Sequence, residues 1–143
     1  MARPIVLDVD TGTDDALALL YAVGSADLDL RGVSCVAGNA GLEQVVDNTL
    51  KVLDAAGAPE LPVAAGATKP LIERARPEGA FHGEDGLAGV QLPPTGRRTS
   101  EQSATELLHA LITSSAEPVT LVSLAPMTNV AMLLTLHPDV VEH

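Results

Sequence analysis

Four carboxylates fall within eight residues: Asp8, Asp10, Asp14 and Asp15, in the stretch Ile5-Val6-Leu7-Asp8-Val9-Asp10-Thr11-Gly12-Thr13-Asp14-Asp15-Ala16-Leu17. Ionised together and partly dry, they repel one another unless a cation offsets the charge. Hard carboxylate oxygens suit Ca²⁺ or Mg²⁺. Asp14 and Asp15 also stand where acidic residues favour a helix N-terminus, with or without a metal. Helix capping does not account for Asp8 and Asp10, which alternate with Leu7 and Val9 at the end of an apolar run.

Three later positions are candidates for the same site. Asn39 closes a second apolar run, in Gly38-Asn39-Ala40-Gly41. Beside a parallel first strand it faces the same edge as Asp10; as a turn former it simply tolerates left-handed geometry. His82, in Phe81-His82-Gly83-Glu84-Asp85-Gly86-Leu87, is either an acid, base or base-stacking group or one of four histidines on a surface loop. Leu124 ends a further apolar run, where its backbone carbonyl is a candidate Ca²⁺ ligand and its side chain an ordinary core leucine.

The elements that must position these residues follow from periodicity. An apolar run over 5–10 predicts a buried strand, Thr11-Gly12-Thr13 a tight loop, and Leu17, Leu20, Tyr21 and Gly24 a helix opening at Asp14-Asp15. A polar turn over 26–30 leads to a second strand over 30–39. Leu42, Val45, Val46, Leu50, Val52 and Leu53 predict a helix over 42–56, ended by Gly57 and Pro59. A short strand over 61–65 follows. The next stretch, about 66–98, is interrupted by Pro70, Pro77, Pro93 and Pro94 and reads as a long functional or disordered loop, with Gly96-Arg97-Arg98-Thr99 a solvated linker. A helix over 100–115, a strand over 118–124 and a helix through 134 complete the chain, with Pro126 fitting the last helix's first turn. Strands alternating with helices imply an α/β fold with an open, mostly parallel sheet, helices at its flanks and right-handed crossovers. Ligands of such sheets bind at the carboxyl ends of the strands, where Asp8 and Asp10 stand.

Composition bounds the rest. The 143 residues suffice for one domain, and 46% hydrophobic content argues for a packed core rather than disorder. With one Phe, one Tyr and no Trp, that core is aliphatic. A net charge of −11 opposes binding to a nucleic-acid backbone. Cys35 is the single cysteine, which excludes an internal disulfide and reads as a buried thiol in a reducing compartment. No apolar run approaches a signal peptide or a membrane span, so a cytoplasmic protein with no membrane partner is expected.

Together these motifs resemble one family, the Ca²⁺-dependent, inosine–uridine-preferring nucleoside hydrolases. The cluster Asp8-Val9-Asp10-Thr11-Gly12-Thr13-Asp14-Asp15-Ala16 resembles that family's amino-terminal aspartates, and Gly38-Asn39 its second-strand asparagine. Phe81-His82-Gly83-Glu84-Asp85-Gly86-Leu87 resembles its histidine-glycine loop, and Leu124-Ala125-Pro126-Met127-Thr128-Asn129-Val130-Ala131 its threonine-asparagine turn. The four occur in the family's order. The resemblance implies a Rossmann-like fold and hydrolysis of ribonucleosides to ribose and free base, as in nucleoside salvage. It implies Ca²⁺ held by Asp10, Asp15 and the Leu124 carbonyl, with Asp10 also the general base toward a Ca²⁺-bound water. Asp14 and Asn39 would hold the ribose, His82 would sit near the departing base, and Asp8 would orient the loop. An oxocarbenium-like sugar, flanking carboxylates and an imidazole at the leaving base suit this chemistry.

Family members are about twice as long. The resemblance therefore implies that residues 1–143 are the amino-terminal part of the domain, that a further aspartate ligand and a leaving-group histidine lie in a carboxyl-terminal half, and that an apolar sheet edge is left uncovered. That half, or further copies of the chain, would be the protein partner. Two alternatives stand beside this reading. A haloacid-dehalogenase-type Mg²⁺ phosphatase would use Asp8 as nucleophile and Asp10 as acid. A non-catalytic, metal-binding remnant would do no chemistry.

Overall fold

The computed structural model describes residues 2–74 and 82–143; Phe81 and Pro77 lie outside the described residues. The chain runs β1 (Arg3–Val9), α1 (Thr13–Gly24), β2 (Leu28–Cys35), α2 (Leu42–Ala55), β3 (Val63–Ala65), α3 (Ala104–Thr113), β4 (Thr120–Ser123), α4 (Thr128–Leu136) and a closing 3-10 turn (Pro138–Glu142). The four strands form one sheet in the order β3-β2-β1-β4, and every neighbouring pair is parallel.

The central strand explains the layers. Side chains alternate across a strand, and β1 is buried on both sides. Ile5, Leu7 and Val9 pack with Leu19, Val45 and Leu53 on the face covered by α1 and α2. Val6 packs with Leu108, Ile112, Leu133 and Val140 on the face covered by α3, α4 and the closing turn. Asp8 shares the parity of Val6 and so points toward α4. From β1 the chain winds outward through β2 and β3, then returns to place β4 on the other side of β1. The strand order thus reverses between β1 and β4, and in open α/β sheets ligands bind outside the carboxyl ends of the strands at such a reversal.

Several boundaries differ from the sequence expectation. β2 begins at Leu28, inside the expected turn, because Leu28 registers with Arg3 of β1. α3 begins at Ala104 rather than 100: Ser103 caps it, with the Glu106 carboxylate accepting the Ser103 N–H at 2.8 Å. α4 begins at Thr128, so Pro126 precedes the helix instead of occupying its first turn. The expected linker at Arg97 is anchored. Its guanidinium donates to Asp54 at 2.6 Å and to the carbonyls of Ala58 and Pro59, tying the long connection to the end of α2.

β4 is an edge strand and is only part-buried. Leu124, Met127, Leu134 and Leu136 beside it are exposed, as are Leu17, Leu20 and Tyr21 on α1. Uncovered apolar surface of this kind was the expectation for an amino-terminal half. Among the described residues no helix is long and apolar enough to cross a membrane.

Candidate active site

The candidate site at the carboxyl end of β1 is built on Asp8. Its carboxylate is fully buried and accepts three hydrogen bonds. Ser34 Oγ of β2 and Asn129 Nδ2 of α4 donate to Oδ1 at 2.6 and 2.8 Å, and Ser123 Oγ of β4 donates to Oδ2 at 3.3 Å. Burial pushes the Asp8 carboxyl upward while these donors pull it back. Asp8 is therefore a tie among three strands and a helix. The phosphatase alternative needs this side chain as an accessible nucleophile; complete burial with both oxygens engaged removes that role.

Asp10 follows in the loop that leaves β1. Its Oδ2 accepts the Asn39 backbone N–H at 2.7 Å, which brings Asn39 beside Asp10. A Cβ on Gly38 would overlap the Asp10 carboxylate, so the backbone approaches as only glycine permits. Burial raises the Asp10 carboxyl, opposed by the Asn39 donor.

Asp15 sits in the first turn of α1, 1% exposed. One oxygen, Oδ2, accepts the Gly12 N–H at 3.1 Å. The other, Oδ1, is buried without a hydrogen-bond partner among the described residues. Burial, with repulsion from Asp10 and Asp14, pushes its carboxyl up to about 6. A capping carboxylate does not need a second oxygen stranded in this way; one that faces a cation does. Asp10 and Asp15 thus fit a hard divalent ion through oxygen donors. They do not close a cage alone, since among the described residues they belong to no group of three His, Cys, Asp or Glu side chains with ligand atoms mutually within 4.8 Å. Leu124 stands at the same edge, its N–H donating to the Asp8 carbonyl at 2.9 Å.

His82 reaches this cluster from far along the chain. Its Nδ1 pairs with Thr13 Oγ1 at 2.7 Å, and its Nε2 lies 3.5 Å from Asp14 Oδ1. The ring lies over Gly12, where a Cβ would come within 3.0 Å of it. Asp14 itself is exposed beside the imidazole. The segment after His82 is tightly wound rather than loose. Gly83 and Gly86 take positive φ, the His82 carbonyl accepts the Ala88 N–H at 2.7 Å, and the Asp85 carboxylate accepts the Leu87 and Gly89 N–H groups.

Sequence reasoning assigned no role to three polar residues that hold this arrangement. Asn129 donates to Asp8 and to the Cys35 carbonyl at 3.0 Å, and accepts the Ala67 N–H at 2.9 Å. Asn48 donates to the Thr11 carbonyl and to the Asp85 carbonyl at 2.7 Å, which docks the histidine segment onto α2. Thr49 pairs with Thr11 at 2.6 Å. Their signal was present: Asn48 and Thr49 interrupt the apolar face of α2, and buried polar side chains require partners. Cys35 lies in the same layer, fully buried, its thiol pushed up to about 12 and therefore unreactive.

Comparison with known proteins gives the family and the fold. The family model described as inosine-uridine preferring nucleoside hydrolase matches residues 5–143. A pyrimidine-specific ribonucleoside hydrolase, RihA, of Salmonella paratyphi B is 42% identical over 139 residues, covering 97% of this chain and 45% of that protein. Among solved structures, a purine-preferring ribonucleoside hydrolase from Gardnerella vaginalis superposes with a TM-score of 0.90 at 31% identity, over 96% of this chain and 45% of the other. An inosine-guanosine nucleoside hydrolase gives 0.85 at 33% identity, over 98% and 43%. The chain thus spans less than half the length of each of these relatives.

Proposed function

The chain belongs to the inosine-uridine-preferring nucleoside hydrolase family, and on that premise we propose that the protein hydrolyses the N-glycosidic bond of ribonucleosides, releasing ribose and free base. The observation that carries this reading is the pair Asp10 and Asp15 at the strand-order reversal, with the buried Oδ1 of Asp15 unpartnered. Asp10, Asp15 and the Leu124 carbonyl are the groups that would hold Ca²⁺. The bound cation would supply positive charge that acidifies water and grips sugar hydroxyls.

Residues of this chain would take the following parts in the reaction. Asn39 N–H occupies Oδ2 of Asp10, which leaves Oδ1 to accept a proton from the attacking water. Asp14, exposed at the rim, and the Asn39 side chain would bind ribose hydroxyls. The carboxylates would stabilise positive charge developing on the sugar, as in glycoside hydrolysis generally. His82 would lie beside the departing base, with Thr13 fixing its ring through Nδ1 and Nε2 turned toward Asp14, 3.5 Å from its Oδ1. We place the protein in the cytoplasm, a setting that suits a lone buried thiol. The relatives' names include pyrimidine-specific, purine-preferring and inosine-guanosine enzymes, so the substrate class proposed is the ribonucleoside as a whole.

The test is product analysis with uridine and inosine as substrates. Free base and reducing sugar should appear in equal amounts when Ca²⁺ is present, and their formation should stop on chelation. Turnover that persists without divalent metal would overturn the assignment.

A further inference from the structure

On the α3–α4 side of the sheet, three side chains from three elements converge away from the carboxylate cluster. His109 lies on α3, His137 caps the carboxyl end of α4, and Asp139 lies in the closing 3-10 turn. Helices that connect parallel strands run back antiparallel to them, so the end of α4 lies toward the amino ends of the strands, opposite Asp10 and Asp15. His109 Nε2 and Asp139 Oδ2 are 2.9 Å apart. The two imidazoles stack with centroids 4.1 Å apart and planes inclined by 21°. One ligand atom from each residue lies within 4.8 Å of the other two, and among the described residues no other group of three His, Cys, Asp or Glu side chains does this.

We propose that His109, His137 and Asp139 form a binding site for a transition-metal dication of the Zn²⁺ class, separate from the Asp10–Asp15 site. Imidazole nitrogens and carboxylate oxygens are both metal donors. Two imidazoles and a carboxylate are a ligand set for Zn²⁺, Ni²⁺ or Cu²⁺, whereas Ca²⁺ and Mg²⁺ favour oxygen alone. The two sites would thus select their metals by donor chemistry. A tetrahedral zinc with bonds of about 2.0–2.1 Å spaces its ligands about 3.3 Å apart. The His109–Asp139 pair is already inside that spacing, and a rotamer adjustment of the part-exposed His137 ring closes the third position. The exposed face of Asp139 leaves room for water as a further ligand. A metal here would clamp α3 to the end of α4 and to the closing turn.

The experiment is calorimetric titration of Zn²⁺ into the 143-residue chain at neutral pH, with Ca²⁺ saturating so that the oxygen site is filled. One equivalent should bind. His109→Ala and Asp139→Asn should each weaken binding by about tenfold or more, the loss typical of damage to a metal site. Co²⁺ in place of Zn²⁺ should give visible d–d absorption that both substitutions abolish. Asp139 is exposed, so Asp139→Asn keeps the test decisive if His109→Ala fails to fold. Zn²⁺ uptake unchanged in both variants, or no uptake by the unsubstituted chain below about 100 μM, would overturn the proposal. Neither result depends on nucleoside hydrolysis.

Discussion

Replacing Asp15 by asparagine in the metal-free protein isolates the cost of its stranded carboxylate. The side chain keeps its shape and still accepts the Gly12 N–H, but the charge is gone. In the folded chain the Asp15 carboxyl is raised from 3.8 to about 6. The folded state therefore holds a proton that the unfolded state has released between those values. Stability from this residue is fully present below about pH 4, is lost as pH rises toward 6, and stays lost above it. Two units at 1.36 kcal/mol each make the loss about 3 kcal/mol. For a urea dependence of about 2 kcal/mol per molar, the midpoint moves by about 1.5 M. The assay is urea unfolding in chelator at a series of pH values from 4.5 to 7.5, for the unsubstituted chain and Asp15→Asn. The difference between the two profiles should open across this window and then level off. Saturating Ca²⁺ at pH 7.5 should restore the unsubstituted chain but not the variant, because ligand binding to the folded state adds stability by mass action. Parallel profiles, or equal rescue of both proteins by Ca²⁺, would refute the reasoning.

Further substitutions test other parts of the site. Asn129→Ala removes two buried hydrogen bonds and one part-buried one and should lower unfolding free energy by about 3 kcal/mol, read from urea midpoints. Gly38→Ala drives a methyl group into the Asp10 carboxylate and should weaken Ca²⁺ binding by about tenfold or more in a calorimetric titration. The control is Gly24→Ala at the end of α1, where an added Cβ meets nothing within 4 Å; it should bind Ca²⁺ normally and gain about 0.5 kcal/mol in stability. His82→Ala should leave Ca²⁺ affinity unchanged and slow nucleoside turnover, and Thr13→Ala should slow it in the same direction because it frees the ring.

Much of the architecture was legible because it rests on local pattern. The apolar run of β1, its abrupt end at Asp8 and Asp10, and the helical spacing of α2 each fix an element without reference to the rest of the chain. What escaped depends on distance or on backbone detail. His82 meets Thr13 across 69 positions, through a segment whose shape is set by positive-φ glycines and by Asn48 docking. Nothing near His82 in sequence announces that partner. Arg97 read as solvated because its neighbours are polar, yet its guanidinium closes the end of α2. Asn129 looked like part of a turn motif, and only the parity of β1, which points Asp8 toward α4, makes it a partner of that carboxylate. The pairing of His109 with Asp139 likewise exists only after α3 and the closing turn are packed together.

The proton-accepting role of Asp10 is central to the proposed hydrolysis. Ribose release from uridine and inosine should be measured for the protein and for Asp10→Asn at matched Ca²⁺ occupancy. Loss of a general base predicts a fall of about 10²–10⁴-fold in turnover while the nucleosides still bind. Turnover in Asp10→Asn equal to that of the unsubstituted protein would contradict it.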